Sequence, residues 1–135
     1  PTKLEVFLDR ECTRENGSLV NKTTGRKVKA ILPVHVLGHP CDMNPIVYLA
    51  RKHDLRIVED ATESLGAKYE GNMVGRHGDI SCFSFNGNKL ITTGGGGMIE
   101  QRLMDDVGGG QLEGSDADGD EEIEVFDGEG RGQER

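Results

Sequence analysis

Two side chains of opposite charge sit at the ends of neighbouring apolar runs. Asp60 closes Arg56-Ile-Val-Glu-Asp-Ala61, and Lys89 follows Phe83-Ser-Phe-Asn-Gly-Asn88. A lysine amine can condense with an aldehyde to a Schiff base. A carboxylate can keep a heterocyclic nitrogen protonated, so that the ring draws electrons away from a reacting centre. Pyridoxal phosphate (PLP) makes both demands. Taken alone the pairing is weak, because most lysines and aspartates are solvated surface groups.

The surrounding words add weight. Pro33-Val-His-Val-Leu-Gly-His-Pro-Cys-Asp-Met43, Val58-Glu-Asp-Ala-Thr-Glu-Ser-Leu-Gly-Ala67 and Gly78-Asp-Ile-Ser-Cys-Phe-Ser-Phe-Asn-Gly-Asn-Lys89 follow one another in order. The four glycines Gly94 to Gly97 come next. Over about residues 2 to 99 the chain resembles the DegT/DnrJ/StrS family of PLP-dependent sugar aminotransferases. Within that family the Asn-Gly-Asn-Lys wording is most similar to enzymes that aminate nucleotide-linked keto sugars for nonulosonic acids such as legionaminic acid.

The resemblance implies an α/β fold: part of the large domain of a fold-type I PLP-dependent transferase, three-layered, with a mostly parallel sheet and helices on both faces. It implies Lys89 as the Schiff-base lysine and general base and acid, and Asp60 as the partner of the pyridine nitrogen. Glu63 would lie near the cofactor's ring oxygen, and Ser84 would contact the phosphate with help from Asn86. His35 would be structural or close to the cofactor. The implied partners are an amino donor such as glutamate, a nucleotide-linked keto sugar, and a second subunit in a homodimer. A lysine at position 89, where a small branch of the family has histidine, argues for amination over dehydration. Family chains are several times longer, and their upstream phosphate-binding and ring-stacking segment has no counterpart here. The alternative expectation is therefore an inactive fragment that keeps only part of the pocket.

Each candidate also has a plainer explanation. Asp60 could cap a following turn, Glu63 could be solvated helix surface, and the Ser84 hydroxyl could be purely structural. His35, His39 and Cys41 match no compact zinc spacing, and no metal site is expected. Asp116-x-Asp118-x-Asp120 lacks the glycine and glutamate of a calcium loop, with Glu121 and Asp127 at those positions. Gly94 to Gly97 lack the Gly-x-Gly-x-x-Gly order of a dinucleotide turn.

These side chains need a frame. Thr2 and Glu5 read as a capping box before a helix over about residues 3–12, with Leu4, Phe7, Leu8 and Cys12 on its apolar face. Asn16-Gly17 and Thr24-Gly25 mark turns around a polar excursion. Residues 28–34 read as one buried strand. Asn44 reads as a helix cap with Pro45 in the first turn, and Ile46, Leu49 and Ala50 face the core as far as His53. Residues 55–59 form the next strand, which makes 28–59 a βαβ unit. Ligands in such sheets bind beyond the carboxyl ends of the strands, where His35 and Asp60 fall. Residues 69–75 suggest a hairpin and 80–85 a further strand.

Composition divides the 135 residues in two. Residues 1–99 carry 13 basic and 11 acidic side chains, a net +2, whereas residues 100–135 carry 3 and 13, a net −10. The first part is the expected partial PLP-binding domain. The second, with eight glycines, is expected to be either a disordered acidic tail or sequence foreign to the family, and the two readings are compatible. Neither part is a basic surface for nucleic acid. Three cysteines without a Cys-x-x-Cys pair, no membrane-spanning apolar run and no charged-then-apolar leader point to a soluble, cytoplasmic chain without membrane partners.

Overall fold

The computed structural model describes residues 1–102 and, as backbone strands, residues 121–126 and 132–133. At the N-terminus α1 (Thr2–Val6) runs straight into a π-helical turn, Phe7–Glu11. The capping box does not form. Pro1 is the cap, and its carbonyl accepts the Glu5 amide at 3.0 Å, which leaves Thr2 inside the first turn with no capping bond. The expected apolar face is present, with Leu8 and Cys12 buried and Leu4 and Phe7 packed against them.

The polar excursion is a small antiparallel sheet of β1 (Cys12–Glu15), β2 (Ser18–Asn21) and β3 (Lys27–Val28). Asn16 and Gly17, at φ 48° and 78°, make the tight reversal that matches strand twist. The single strand expected over 28–34 is divided. Val28 stays with the small sheet, while β4 (Ala30–Ile31) joins the main sheet. Val34 then makes one isolated parallel bridge to Asp60. Pro33, which has no amide hydrogen, can only accept there, and its carbonyl takes the Asp60 amide at 2.9 Å.

Helix α2 (Met43–His53) crosses from β4 to the parallel strand β5 (Arg56–Asp60), which forms the expected βαβ unit. Met43, Ile46, Leu49 and Ala50 recur at helical spacing and are buried with Ile31 and Ile57. Full burial of one such aliphatic side chain stabilises by about 1.5–3 kcal/mol. The helix begins two residues before the expected position. Asp42 is the cap residue, but its carboxylate accepts the Tyr69 hydroxyl at 2.6 Å instead of a helix amide. Asn44 lies within the first turn and donates to Glu70 at 2.8 Å. Asp54, in the left-handed conformation at φ 56°, ends the helix.

The expected hairpin is β6 (Lys68–Tyr69) with β7 (Asn72–Met73). Strand β8 (Ile80–Ser84) lies parallel to β5, and β9 (Gly97–Arg102) runs antiparallel to β8. Strands β10 (Glu121–Phe126) and β11 (Gly132–Gln133) complete a six-stranded sheet in the order β11-β10-β9-β8-β5-β4. The sheet is thus parallel from β4 to β8 and antiparallel beyond. The change of direction comes after β8, where the chain returns through a glycine-rich loop and not through a helical crossover. The expectation of disorder over residues 100–135 falls mostly outside the described residues. What is described of that segment is strand. No helix among the described residues is long and apolar enough to cross a membrane.

Candidate active site

The register of β5 and β8 decides which side chains meet. Asp60 pairs with Cys82 and Glu59 with Ser81, and partners in a parallel pair share a face. Strand alternation therefore sends Asp60, Cys82 and Ser84 to one face at the carboxyl ends of the two strands. Glu59, Ser81 and Phe83 go to the other. The first face is half-buried; the second is buried.

The loop after β8 carries Lys89 over the open face. Its two ends are tied together: the Phe85 amide donates to Gly96 O at 3.0 Å, and the Thr93 amide donates to Phe85 O at 3.1 Å. Between those ties the Lys89 amide closes a turn onto Asn86 O at 3.0 Å. Gly97 opens β9 where a Cβ would stand 2.6 Å from Phe83 O, so the return strand needs glycine at that point.

A cleft of about 200 Å³ lies under this loop, lined by Leu37, Thr62, Glu63, Leu65, Ser84, Asn88, Lys89 and Leu90. The Lys89 Nζ stands 3.7 Å from Glu63 Oε1. The other oxygen of Glu63 accepts the Leu37 amide at 2.9 Å. Leu37 holds φ 54°, a left-handed conformation that costs a residue with a Cβ about 1–2 kcal/mol. Beside the cleft, Asp60 Oδ1 accepts the Thr62 amide at 3.1 Å and the Thr62 hydroxyl at 2.7 Å. Among the described residues nothing donates to Oδ2. Burial pushes the Cys82 thiol above its usual value, and the Asp60 charge beside it pushes it further.

Behind the sheet end lies a second, closed set of groups. Glu59 is fully buried, and its carboxylate accepts the amides of Gly75 at 2.8 Å, His77 at 2.6 Å and Gly78 at 2.5 Å. The His35 ring, also fully buried, lies with Nε2 3.0 Å from Glu59. The Cys41 amide donates to His35 Nδ1 at 3.0 Å, so the proton of a neutral ring belongs on Nε2.

Of the residues singled out in the sequence, Lys89, Glu63 and Ser84 come together in the cleft. Asp60 adjoins it through Thr62. Asn86 does not line it: it is exposed, and its Oδ1 accepts the Gly87 amide at 2.9 Å, while Asn88 faces the cleft instead. His35 does not line it either, because its ring is spent on Glu59 and Cys41. Sequence reasoning passed over Thr62, Leu37 and Asn88. Only Thr62 had a legible signal, since a threonine two residues after an aspartate can donate back to it.

A model of the DegT/DnrJ/EryC1/StrS aminotransferase family matches residues 11–106. The chain is 49% identical over 98 residues to GDP-perosamine synthase of Escherichia coli O157:H7, a match covering 73% of this chain and 27% of that protein. It is 50% identical over 74 residues to UDP-N-acetyl-3-dehydro-alpha-D-glucosamine 3-aminotransferase of Acidithiobacillus ferrooxidans, covering 54% and 20%. Among solved structures it is similar to a DegT DnrJ EryC1 StrS aminotransferase from Brucella abortus, with 35% identity and a TM-score of 0.55 over 58% of this chain and 21% of that chain. The chain spans about a quarter of the length of the curated relatives it matches.

Proposed function

The chain belongs to the DegT/DnrJ/EryC1/StrS aminotransferase family, whose cofactor is PLP, and on that premise we propose that it supplies one wall of an active site that aminates a nucleotide-linked keto sugar. The observation that carries the proposal is the meeting of Lys89, Glu63 and Ser84 in one cleft, with Asp60 on the same sheet face. The names of the relatives support the substrate class: one is named for a GDP-linked and one for a UDP-linked sugar, and both names denote an amino sugar or its making. The amino donor is proposed to be glutamate and the product a precursor of a nonulosonic acid. The working enzyme is proposed to be a cytoplasmic homodimer.

The donor set fits the cofactor. Lys89 offers an amine for the aldehyde, Asp60 offers the ring nitrogen a carboxylate oxygen that has no donor among the described residues, and Ser84 offers a hydroxyl for the phosphate. Bound there, PLP supplies an electron sink. The remaining work falls to the protein's own groups. Lys89 Nζ holds the cofactor and then carries a proton as base and acid. Glu63, tied to the Leu37 amide, keeps one oxygen towards that amine. Asp60, tied to Thr62, keeps one oxygen for a charge-assisted bond to the ring.

A second reading is favoured by the cleft itself. At about 200 Å³ it is smaller than the ~300–1,000 Å³ typical of a ligand pocket, as a pocket with one wall would be. On that reading the chain is an inactive fragment of such an enzyme. Mixing the chain with PLP and recording its absorbance separates the two. A yellow band that disappears in Lys89→Ala supports the working pocket, whereas no band in the wild type supports the fragment.

A further inference from the structure

The buried pair of His35 and Glu59 lies outside the cleft, yet bonds connect it to both acids at the site. The backbone on either side of Val34 clamps Asp60: the His35 amide donates to Asp60 O at 3.0 Å, and the Asp60 amide donates to Pro33 O at 2.9 Å. The ring fixes the rest of the turn, with Nε2 against Glu59 and Nδ1 accepting from Cys41. Between those two anchors the chain makes a short 3-10 turn, Val36–Gly38, in which Leu37 takes its left-handed φ of 54°. That conformation aims the Leu37 amide at Glu63.

Leu37 has no packing reason to hold this shape, since the residue is 86% exposed. Something else must hold the backbone, and the ring anchored at both nitrogens is the group placed to do so. We propose that His35 and Glu59 are a positioning pair for the site. They lock the 33–41 turn so that the Leu37 amide takes one oxygen of Glu63 and leaves the other for Lys89. The role of Lys89 as the reactive amine is taken from the proposed function, but the arrangement of the pair stands without any cofactor.

The direction of causation has a physical basis. Glu59 accepts four donors in a closed environment, so its position is over-determined. The Glu63–Lys89 pair is partly exposed and its contact is 3.7 Å, so it does not fix itself. Order runs from the buried carboxylate outward.

The test is made on the full chain without PLP, so its failure and a failure of the cofactor experiment are distinguishable. The Leu37 amide is followed by proton–nitrogen NMR at one neutral pH, with and without the Glu63 carboxylate. Its resonance should move between the wild type and Glu63→Gln as the charged acceptor is lost. His35→Leu is expected to reduce that movement at least about threefold, since the bond depends on donor alignment. His35→Gln, which keeps a donor within reach of Glu59, is expected to restore most of it. Full movement in His35→Leu would overturn the proposal. A second measurement covers the case in which His35→Leu fails to fold. In the wild type the Leu37 amide should exchange with solvent at least about tenfold more slowly than a free peptide amide. Exchange at the free rate shows an unheld turn and equally rejects the pair.

Discussion

Glu59 and Asp60 are adjacent in sequence, alike in chemistry and opposite in fate. Glu59 points to the closed face of β5, where three amides and an imidazole surround its carboxylate. Asp60 points to the open face, where Thr62 occupies one oxygen twice and leaves the other without a donor among the described residues. A fully satisfied buried carboxylate has nothing left to offer a ligand, but it ties the His35 turn and the 75–78 turn to β5. A half-satisfied, half-buried one is oriented and still available. The two-residue period of a strand is enough to turn one acid into scaffold and its neighbour into a binding group.

The largest test of that contrast is Glu59→Gln. The new amide would set its own N–H groups against backbone N–H groups, and breaking a buried charged network costs about 3–5 kcal/mol. Urea unfolding should show a large drop in midpoint or a chain that no longer folds; an unchanged midpoint breaks the contrast. Asp60→Asn should behave oppositely. Stability should stay within about 1 kcal/mol, while affinity for PLP falls by about 10–100-fold with the loss of one charge-assisted bond. Equilibrium dialysis against PLP, run beside urea unfolding, checks both halves.

How far this contrast was readable beforehand depends on where the partners lie in the chain. Helix α2 was legible because Ile46, Leu49 and Ala50 repeat at its own period. Strands β5 and β8 were legible as apolar runs, and the Asn16-Gly17 turn as a dipeptide. The strands on either side of that turn were not: in β1 only Cys12 is buried and Arg14 and Glu15 are exposed, so there was no alternation to see. The start of β4 is not legible, because a break between two sheets at Lys29 leaves no local mark. Glu59 is not singled out by the sequence, since its amide donors lie 16 to 19 residues later, in a turn that only folding brings back. For the same reason Asn86 stood out and Asn88 did not, although loop geometry turns the second one inward.

Smaller effects sharpen the open side. Leu37→Asn should stabilise by about 0.5–1 kcal/mol, because asparagine tolerates the left-handed conformation and little packing is lost from an exposed leucine. Destabilisation in urea would show that the Leu37 side chain is needed over the cleft. The smallest effect belongs to Cys82. Its thiol is raised first by burial and second by Asp60, so Asp60→Asn lowers it and leaves the larger cause in place. More thiolate at a given alkaline pH should speed alkylation at Cys82 about twofold, read by peptide mapping. An unchanged rate would mean that the two side chains do not sense one another across the strand pair.

The ties at Phe85, Thr93 and Gly96 have a consequence for how such a chain can change. They seal the frame at the neck, where the Thr92 hydroxyl also donates to Phe85 O, so residues 86–91 form an interchangeable insert whose sequence can vary while β8 and β9 keep their register. Replacing that insert would exchange the chemistry offered to a visiting molecule without rebuilding the sheet beneath it. New reactivity is therefore accessible by substitution at the mouth, with the foundations left undisturbed.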